Sequence, residues 1–206
     1  MVTSTGPEII WKYFPDLSES MRDQMTNLGP LYRTFNAEVN VISRKDINQI
    51  YLHHILHSLS LHSFLVPSSG QRILDLGTGG GFPGIPLAVC FPDNHFTLID
   101  GSRKKIRIVQ QIASKLGLTN VDALHIRAED LIGTFDHIVC RAVSNTKQLL
   151  SWMKHLTTDQ TQIDLLKGGD LTQELAFLSP RKFQVFDISD NFVEPYFTTK
   201  KIVSIR

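Results

Sequence analysis

The chain has 206 residues, enough for one domain with an extension, and its 42% hydrophobic and 20% charged residues are typical of a packed globular protein. A formal net charge of +1 excludes a generally basic surface, so any nucleic-acid binding must come from a local patch. No apolar run approaches the roughly 18 residues of a membrane span, and no secretory signal pattern is visible at the start. Cys90 and Cys140 lie inside apolar runs and are expected to be buried free thiols. We therefore expect a cytoplasmic protein.

The first third of the chain has apolar residues at helical spacing and almost no glycine. Gly29-Pro30 is expected to interrupt or kink one of its helices, and Asp46 is expected to cap another. The apolar stripes of these helices are too wide to be left exposed to water. We therefore expect residues 1–66 to form a helical extension packed on the main domain, residues 67–206.

A glycine-rich stretch, residues 72–86, reads R-I-L-D-L-G-T-G-G-G-F-P-G-I-P. It predicts a short strand over 73–76, then a loop with five glycines, then a helix that begins near Pro86. Glycines let a backbone turn with positive φ and let a ligand lie against the main chain, and a helix start offers free N–H groups. Because five glycines weaken a turn that binds nothing, the stretch favours a ligand loop.

Two classes of cofactor use such a loop. Glycines at positions 79, 81 and 84 fit the dinucleotide pattern G-x-G-x-x-G, and Asp100 follows at the distance expected of a ribose-binding acid. In the dinucleotide pattern, however, the first glycine directly ends the strand. Here Asp75 lies in the strand end and Gly77-Thr78 come before the trio. This order resembles motif I of the S-adenosylmethionine (SAM) methyltransferases, in which Asp75 would be a direct or indirect partner of the methionyl ammonium.

Strands and helices continue to alternate after this loop. Further strands are predicted over 96–99, 121–126, 135–140, 163–166, 182–188 and 197–205. The alternation predicts a Rossmann-like, doubly wound α/β fold with a mainly parallel seven-stranded sheet. Ligands of such sheets bind beyond the carboxyl ends of the strands. The polar strand ends expected to meet there are Asp75, Asp100, residues 127–130, Arg141 and Lys167.

The same stretches resemble the ribosomal RNA small subunit methyltransferase G family, also called the glucose-inhibited division protein B family. The matching pieces are residues 35–43, 53–59, 74–88, 96–100, 104–107, 127–130, 135–142 and 166–169. The glycine loop alone indicates only a SAM enzyme, but its combination with C-R-A and L-K-G is much more specific. The resemblance implies a class I SAM-dependent methyltransferase fold. It also implies methyl transfer from SAM to N7 of a guanine in the 530 loop of 16S rRNA, with the rRNA or the small subunit as partner and neither DNA nor membrane.

The family matches and strand-end positions also imply site residues. The expected cofactor-binding residues are Gly77, Gly79, Phe82, Asp100, Ala128, Glu129 and Arg141. The expected substrate-binding residues are Lys104, Arg127, Arg141 and Lys167, and Arg141 and Lys167 are the catalytic candidates. Simpler readings remain for three of these residues: Asp100 as a helix-capping acid, Glu129 as a surface acid and Lys104 as part of a solvated helix face.

One segment departs from the family pattern. Many members carry Arg-His-x-x-Asp-Ser where this chain has H-H-I-L-H-S, so His53 and His57 replace an arginine and a carboxylate. Histidines four positions apart can bind a metal on one helix face, but without a third ligand we favour a helix face that packs on the catalytic domain. No metal site is expected.

Guanine N7 carries a free lone pair, so its methylation needs no general base. Three other functions stay open at this point: a SAM methyltransferase of another substrate, an NAD-dependent oxidoreductase and a non-catalytic RNA-binding module. No N-P-P-Y-type tetrad is present near the fourth strand, where residues 140–143 are Cys-Arg-Ala-Val, which argues against methylation of an exocyclic amine.

Overall fold

The computed structural model describes residues 6–206. The helices are α1 (Glu8–Tyr13), α2 (Glu19–Asn36), α3 (His57–Leu59), α4 (Gly84–Cys90), α5 (Arg103–Lys115), α6 (Thr146–Met153) and α7 (Thr172–Leu175). The strands are β1 (Arg72–Leu76), β2 (His95–Asp100), β3 (Val121–His125), β4 (His137–Arg141), β5 (Gln162–Gly168), β6 (Phe183–Asp187) and β7 (Lys200–Ile205). A π-helical segment, Tyr51–Leu56, leads directly into α3.

The seven strands form one sheet in the order β3-β2-β1-β4-β5-β7-β6. Neighbours from β3 to β5 are parallel, whereas β7 is antiparallel to both β5 and β6. The prediction of a mainly parallel seven-stranded α/β sheet is confirmed, with a mixed edge at β7 and β6. The chain reverses its direction of winding between β1 and β4, so a crevice opens at the carboxyl ends of these two strands.

Helix α2 continues through Gly29-Pro30, so the expected interruption is wrong. Proline lacks the N–H that would donate to the carbonyl of Thr26, four residues earlier. The Tyr51 hydroxyl donates to that carbonyl oxygen at 2.6 Å instead. A Cβ on Gly29 would lie 2.6 Å from Tyr51 Oη, so only glycine lets the tyrosine come this close. The Gly-Pro pair therefore marks a packing contact, and not a helix end.

The expected cap at Asp46 is also wrong. Asp46 precedes a short 3₁₀ turn, Ile47–Gln49, and its side chain makes no capping hydrogen bond. Its carboxylate instead accepts a hydrogen bond from Ser43 Oγ at 2.9 Å and lies 2.9 Å from His53 Nδ1. The side chain of Asp46 is thus directed to Ser43 and His53, and not to the N–H groups of the turn.

The amino-terminal helices share one hydrophobic cluster with the sheet. Leu28, Tyr32 and Ile55 are completely buried in it, together with Ile85 of α4 and Phe96 of β2. Both cysteines are buried and free, as expected. Within residues 6–206, no helix is both long enough and apolar enough to cross a membrane.

We propose that the extension does not form a separate domain, and limited proteolysis tests this. Its removal would expose the apolar face of α4, which is buried along its whole length. We therefore expect no stable fragment that begins near Pro67, as judged by mass spectrometry of the digest. A well-folded 67–206 fragment that binds SAM would contradict the proposal.

Candidate functional site

A cavity of about 430 Å³ lies at the carboxyl ends of β1, β2 and β4, and we call it the strand-end cavity. Its walls come from the glycine loop after β1, the end of β2, the turn after β3 and the residues that follow β4. Its volume is within the range of small-molecule sites, and its position is the one that an α/β sheet of this winding offers to a ligand.

Asp75 supports the glycine loop from below. Its side chain is completely buried, and its Oδ2 accepts hydrogen bonds from Thr78 Oγ1 at 2.6 Å and from the Gly84 N–H at 2.8 Å. Burial raises the pKa of this carboxyl to about 7. A Cβ on Gly84 would lie 2.7 Å from Asp75 Oδ2, so the glycine makes this approach possible. Asp75 does not line the strand-end cavity, so any effect on a ligand passes through the loop.

Gly77 and Gly79 line the cavity with positive φ angles of 71° and 60°. A Cβ on Gly79 would meet no protein atom within 4 Å, whereas a Cβ on Gly77 would lie 2.3 Å from Val143 Cγ2. The space next to Gly79 is therefore open, whereas the side chain of Val143 fills the space next to Gly77. A side chain at position 79 would enter space that a ligand can use.

Asp100 lines the same cavity and fastens the loop to β2. Its Oδ2 accepts from the Gly79 N–H at 3.0 Å, and its Oδ1 accepts from the Ser102 N–H at 2.8 Å. The second bond goes to the N-cap residue of α5 and not to an N–H group inside the helix, so it fixes the turn into α5 and does not cap the helix. Each carboxylate oxygen has a further lone pair with which it can accept from a ligand hydroxyl.

The extension holds the outer side of the loop. Tyr32 of α2 donates from its hydroxyl to the Gly80 carbonyl oxygen at 2.6 Å, and its ring stacks on Phe82 at 4.7 Å. Val41 lines the cavity, and Asn36 Oδ1 fixes it by accepting from the Val41 N–H at 2.8 Å. These residues were not predicted as site residues, because nothing in their local sequence points to the loop.

Arg141 lies at the end of β4 and lines the cavity, but its guanidinium is held by the π-helical segment. Nη1 donates to the His53 carbonyl oxygen at 3.2 Å, and Nη2 lies 2.9 Å from His54 Nδ1. Burial and the charge of Arg141 lower the pKa of His54 to about 3. The imidazole is therefore neutral and accepts a hydrogen bond from the guanidinium, which also lies 5.2 Å from the Phe82 ring centroid.

His53 and His57 both contact Tyr196, which lies just before β7. The His53 ring stacks on the Tyr196 ring at 4.1 Å, with Nδ1 directed to Asp46. His57 Nδ1 lies 3.1 Å from the Tyr196 hydroxyl. In the described part of the chain, no three histidine, cysteine, aspartate or glutamate side chains are grouped as metal ligands would be.

Most of the predicted site residues meet at the strand-end cavity, and two do not. The cavity lining includes Gly77, Gly79, Phe82, Asp100, Arg127, Ala128, Glu129 and Arg141. Lys104 is exposed on α5, where its neighbour Lys105 reaches the cavity instead. Lys167 is directed away from the lining and donates to Ser144 O and Glu174 Oε1, both at 2.7 Å.

The remaining lining residues were not predicted, and they include Val41, Val143 and Trp152. Val143 comes two residues after Arg141, so its position next to a strand end was a usable signal. Trp152 lies on α6, and its place in a helical apolar pattern does not separate a core residue from a ligand contact.

Comparisons with known proteins agree with this architecture. Two solved methyltransferases share the fold with a TM-score of 0.57 each. One is a SAM-dependent methyltransferase from Aquifex aeolicus, 16% identical and covering 72% of this chain and 88% of its own. The other is a precorrin-6y C5,15-methyltransferase from Geobacter metallireducens, 12% identical and covering 82% and 91%. The predicted class I SAM-dependent methyltransferase fold is confirmed.

Sequence comparison identifies the family. A family model described as rRNA small subunit methyltransferase G matches residues 21–201. A protein of that name from Flavobacterium psychrophilum is 46% identical over 204 residues, which cover 96% of this chain and 97% of the relative. Another from Porphyromonas gingivalis is 45% identical over 205 residues, which cover 96% and 92%. The chain therefore belongs to the rRNA small subunit methyltransferase G family.

Proposed function

We propose that the chain is a 16S rRNA (guanine-N7)-methyltransferase that uses SAM and modifies a guanine in the 530 loop. The observation that carries this proposal is the open strand-end cavity beside Gly79, in a chain whose relatives bear the name of small subunit rRNA methyltransferases. The partner is 16S rRNA or the small ribosomal subunit, and the location is the cytoplasm.

The residues around the strand-end cavity fit SAM. The open space beside Gly79 suits the methionyl part, because backbone atoms of the loop from Gly77 to Gly79 can approach a ligand closely there. Asp100 would accept hydrogen bonds from the ribose hydroxyls, and Ala128-Glu129 would frame the adenine. Phe82 supplies an apolar contact, although only 2% of it is exposed.

Bound SAM supplies an electrophilic methyl group on a positively charged sulfur. The protein needs no general base, because guanine N7 offers a free lone pair. Its contribution is to hold the base in line with the methyl group and to exclude water, which apolar walls such as Phe82 and Val143 favour. The Arg141 charge is best directed to the base edge or to the cofactor carboxylate, because a cation beside the sulfonium would repel it.

Basic side chains near the cavity provide a local surface for RNA phosphates. Arg103, Lys104 and Arg107 are exposed on α5, and Arg127 is exposed at the cavity rim. With a net charge of only +1, this patch must supply the attraction that the whole surface does not. Binding should therefore weaken steeply as salt concentration rises.

Methyl transfer from labelled SAM to purified small subunits and to naked 16S rRNA tests the proposal. We expect transfer to at least one of them, and mass mapping should find 7-methylguanosine in the 530 loop. Titration calorimetry should show that SAM binds and that NAD does not. Binding of NAD instead, or methylation of another class of molecule with none on rRNA, would contradict the proposal.

A further inference from the structure

Lys167 lies beside the site, but its charge is used inside the protein. It follows Leu166, the β5 residue that pairs with Arg141 of β4. Only 11% of its side chain is exposed, and its Nζ donates to the Ser144 carbonyl oxygen and to Glu174 Oε1, each at 2.7 Å. An ammonium held by two acceptors at this depth is poorly placed to reach a phosphate outside.

Glu174 Oε1 also accepts hydrogen bonds from the first residue of α6. It accepts from the Thr146 N–H at 2.7 Å and from Thr146 Oγ1 at 2.6 Å, and Thr146 is completely buried. Lys167 and Glu174 thus hold both ends of the turn Ser144–Thr146. We call these four residues, Lys167, Glu174, Ser144 and Thr146, the turn clamp.

The segment next to the turn clamp forms one wall of the strand-end cavity and contains a strained residue. Ala142 has a φ of 55° and is the one non-glycine residue with positive φ among residues 6–206. Ala142 and Val143 line the cavity, and Arg141 precedes them. A left-handed alanine persists only where its surroundings enforce it. Its neighbours on the carboxyl side are the residues that the clamp holds.

We propose that Lys167 and Glu174 are positioning residues that fix the cavity wall from Arg141 to Val143, so that the target base meets the methyl group in line. This proposal rests on the proposed RNA methylation. It assigns Lys167 a role different from the RNA contact that the family resemblance implies. A displacement of about 1 Å in such a wall can lower the rate about a hundredfold without contact to the substrate.

The test compares Lys167→Met, Glu174→Gln and the double variant with Lys104→Met. We measure kcat and KM for the RNA substrate, the SAM affinity, the salt dependence of RNA binding, and amide exchange of residues 141–150. We expect Lys167→Met and Glu174→Gln each to lower kcat about tenfold to a hundredfold and to speed amide exchange in the turn. The double variant should be no slower than the slower single variant, because both act through one network.

Salt dependence separates the clamp from a phosphate contact. The logarithm of the RNA affinity falls linearly with the logarithm of the salt concentration, and loss of one phosphate contact makes this slope shallower by about 0.7 to 1. We expect the shallower slope for Lys104→Met but not for Lys167→Met. Glu174→Gln is the sharper variant, because it removes a negative charge and keeps an acceptor oxygen. It carries the test if Lys167→Met does not fold.

Two outcomes would overturn the proposal. One is a shallower salt dependence of RNA binding by Lys167→Met, together with normal or faster methyl transfer by Glu174→Gln. That result would make Lys167 an RNA ligand. The other is a kcat for methyl transfer in both single variants that equals the kcat of the wild-type protein. If the wild-type protein itself transfers no methyl group to rRNA, the proposed function fails, and the role of the clamp in it fails as well.

Discussion

Replacement of Gly79 by valine is expected to lower the affinity for SAM at least a hundredfold, which corresponds to about 2.8 kcal/mol of binding free energy. A Cβ at this position meets no protein atom within 4 Å, so the added side chain enters the cavity and not the core. Valine also has to adopt the φ of 60°, which costs about 1–2 kcal/mol of stability. Titration calorimetry measures the affinity, and thermal unfolding measures the stability.

Gly70→Val is the matched control. Gly70 has a φ of 81°, and a Cβ on it also meets nothing within 4 Å, but it lies before β1, at the end of the strand opposite the cavity. Both variants should lose similar stability, and only Gly79→Val should lose SAM binding. Normal affinity in the Gly79→Val protein would show that the loop does not face the cofactor.

The sequence predicted the parts of the site that depend on local order along the chain. Each parallel strand ends at the same edge of the sheet, so the polar residue after each strand is brought there by topology alone. Asp100, Arg127 and Arg141 were found in this way, and all three line the strand-end cavity. The five glycines predicted a ligand loop, because so many glycines weaken a turn unless a ligand has to approach the backbone closely.

The contacts that fix these parts come from distant residues and could not be read from the sequence. Tyr32 supports the loop at Gly80 across 48 positions, and His54 holds Arg141 across 87. The same holds for the Tyr51 hydroxyl that lets α2 pass Pro30. Each depends on how the extension packs on the sheet, and a helical pattern of apolar residues does not specify the partner of a single polar group.

Side-chain direction was the second limit. Lys167 occupies the predicted strand end, yet its ammonium turns to Ser144 and Glu174. Lys104 and Lys105 are neighbours on α5, and which of them reaches the cavity depends on where the helix begins, which sequence patterns do not fix to one residue. Strand ends therefore predict which residues are near a site better than they predict what those residues touch.

Replacement of Arg141 is expected to have the second large effect, on methyl transfer. Arg141→Lys keeps the charge but cannot donate to the His53 carbonyl and to His54 in the same geometry, because lysine lacks the planar fork. It would also lose the bidentate contact to a base edge or phosphate that we propose for Arg141, and such a contact is worth about 1–3 kcal/mol. Methyl transfer to rRNA, measured with labelled SAM, should therefore fall roughly tenfold to a hundredfold. The rate of methyl transfer by Arg141→Ala should fall at least as far.

Arg72→Lys is the control for Arg141→Lys. The Arg72 guanidinium lies 4.9 Å from the Phe135 ring centroid, much as that of Arg141 lies 5.2 Å from Phe82, but Arg72 begins β1 at the end opposite the cavity. Both lysine variants lose a similar ring contact, and Arg141→Lys also loses the hydrogen bonds to His53 and His54, so thermal unfolding of both variants separates lost stability from lost transfer. Only Arg141→Lys should also lose methyl transfer, because Arg141 lines the cavity and Arg72 does not. If transfer is unaffected by both Arg141→Lys and Arg141→Ala, then Arg141 anchors the extension to β4 and takes no part in the reaction.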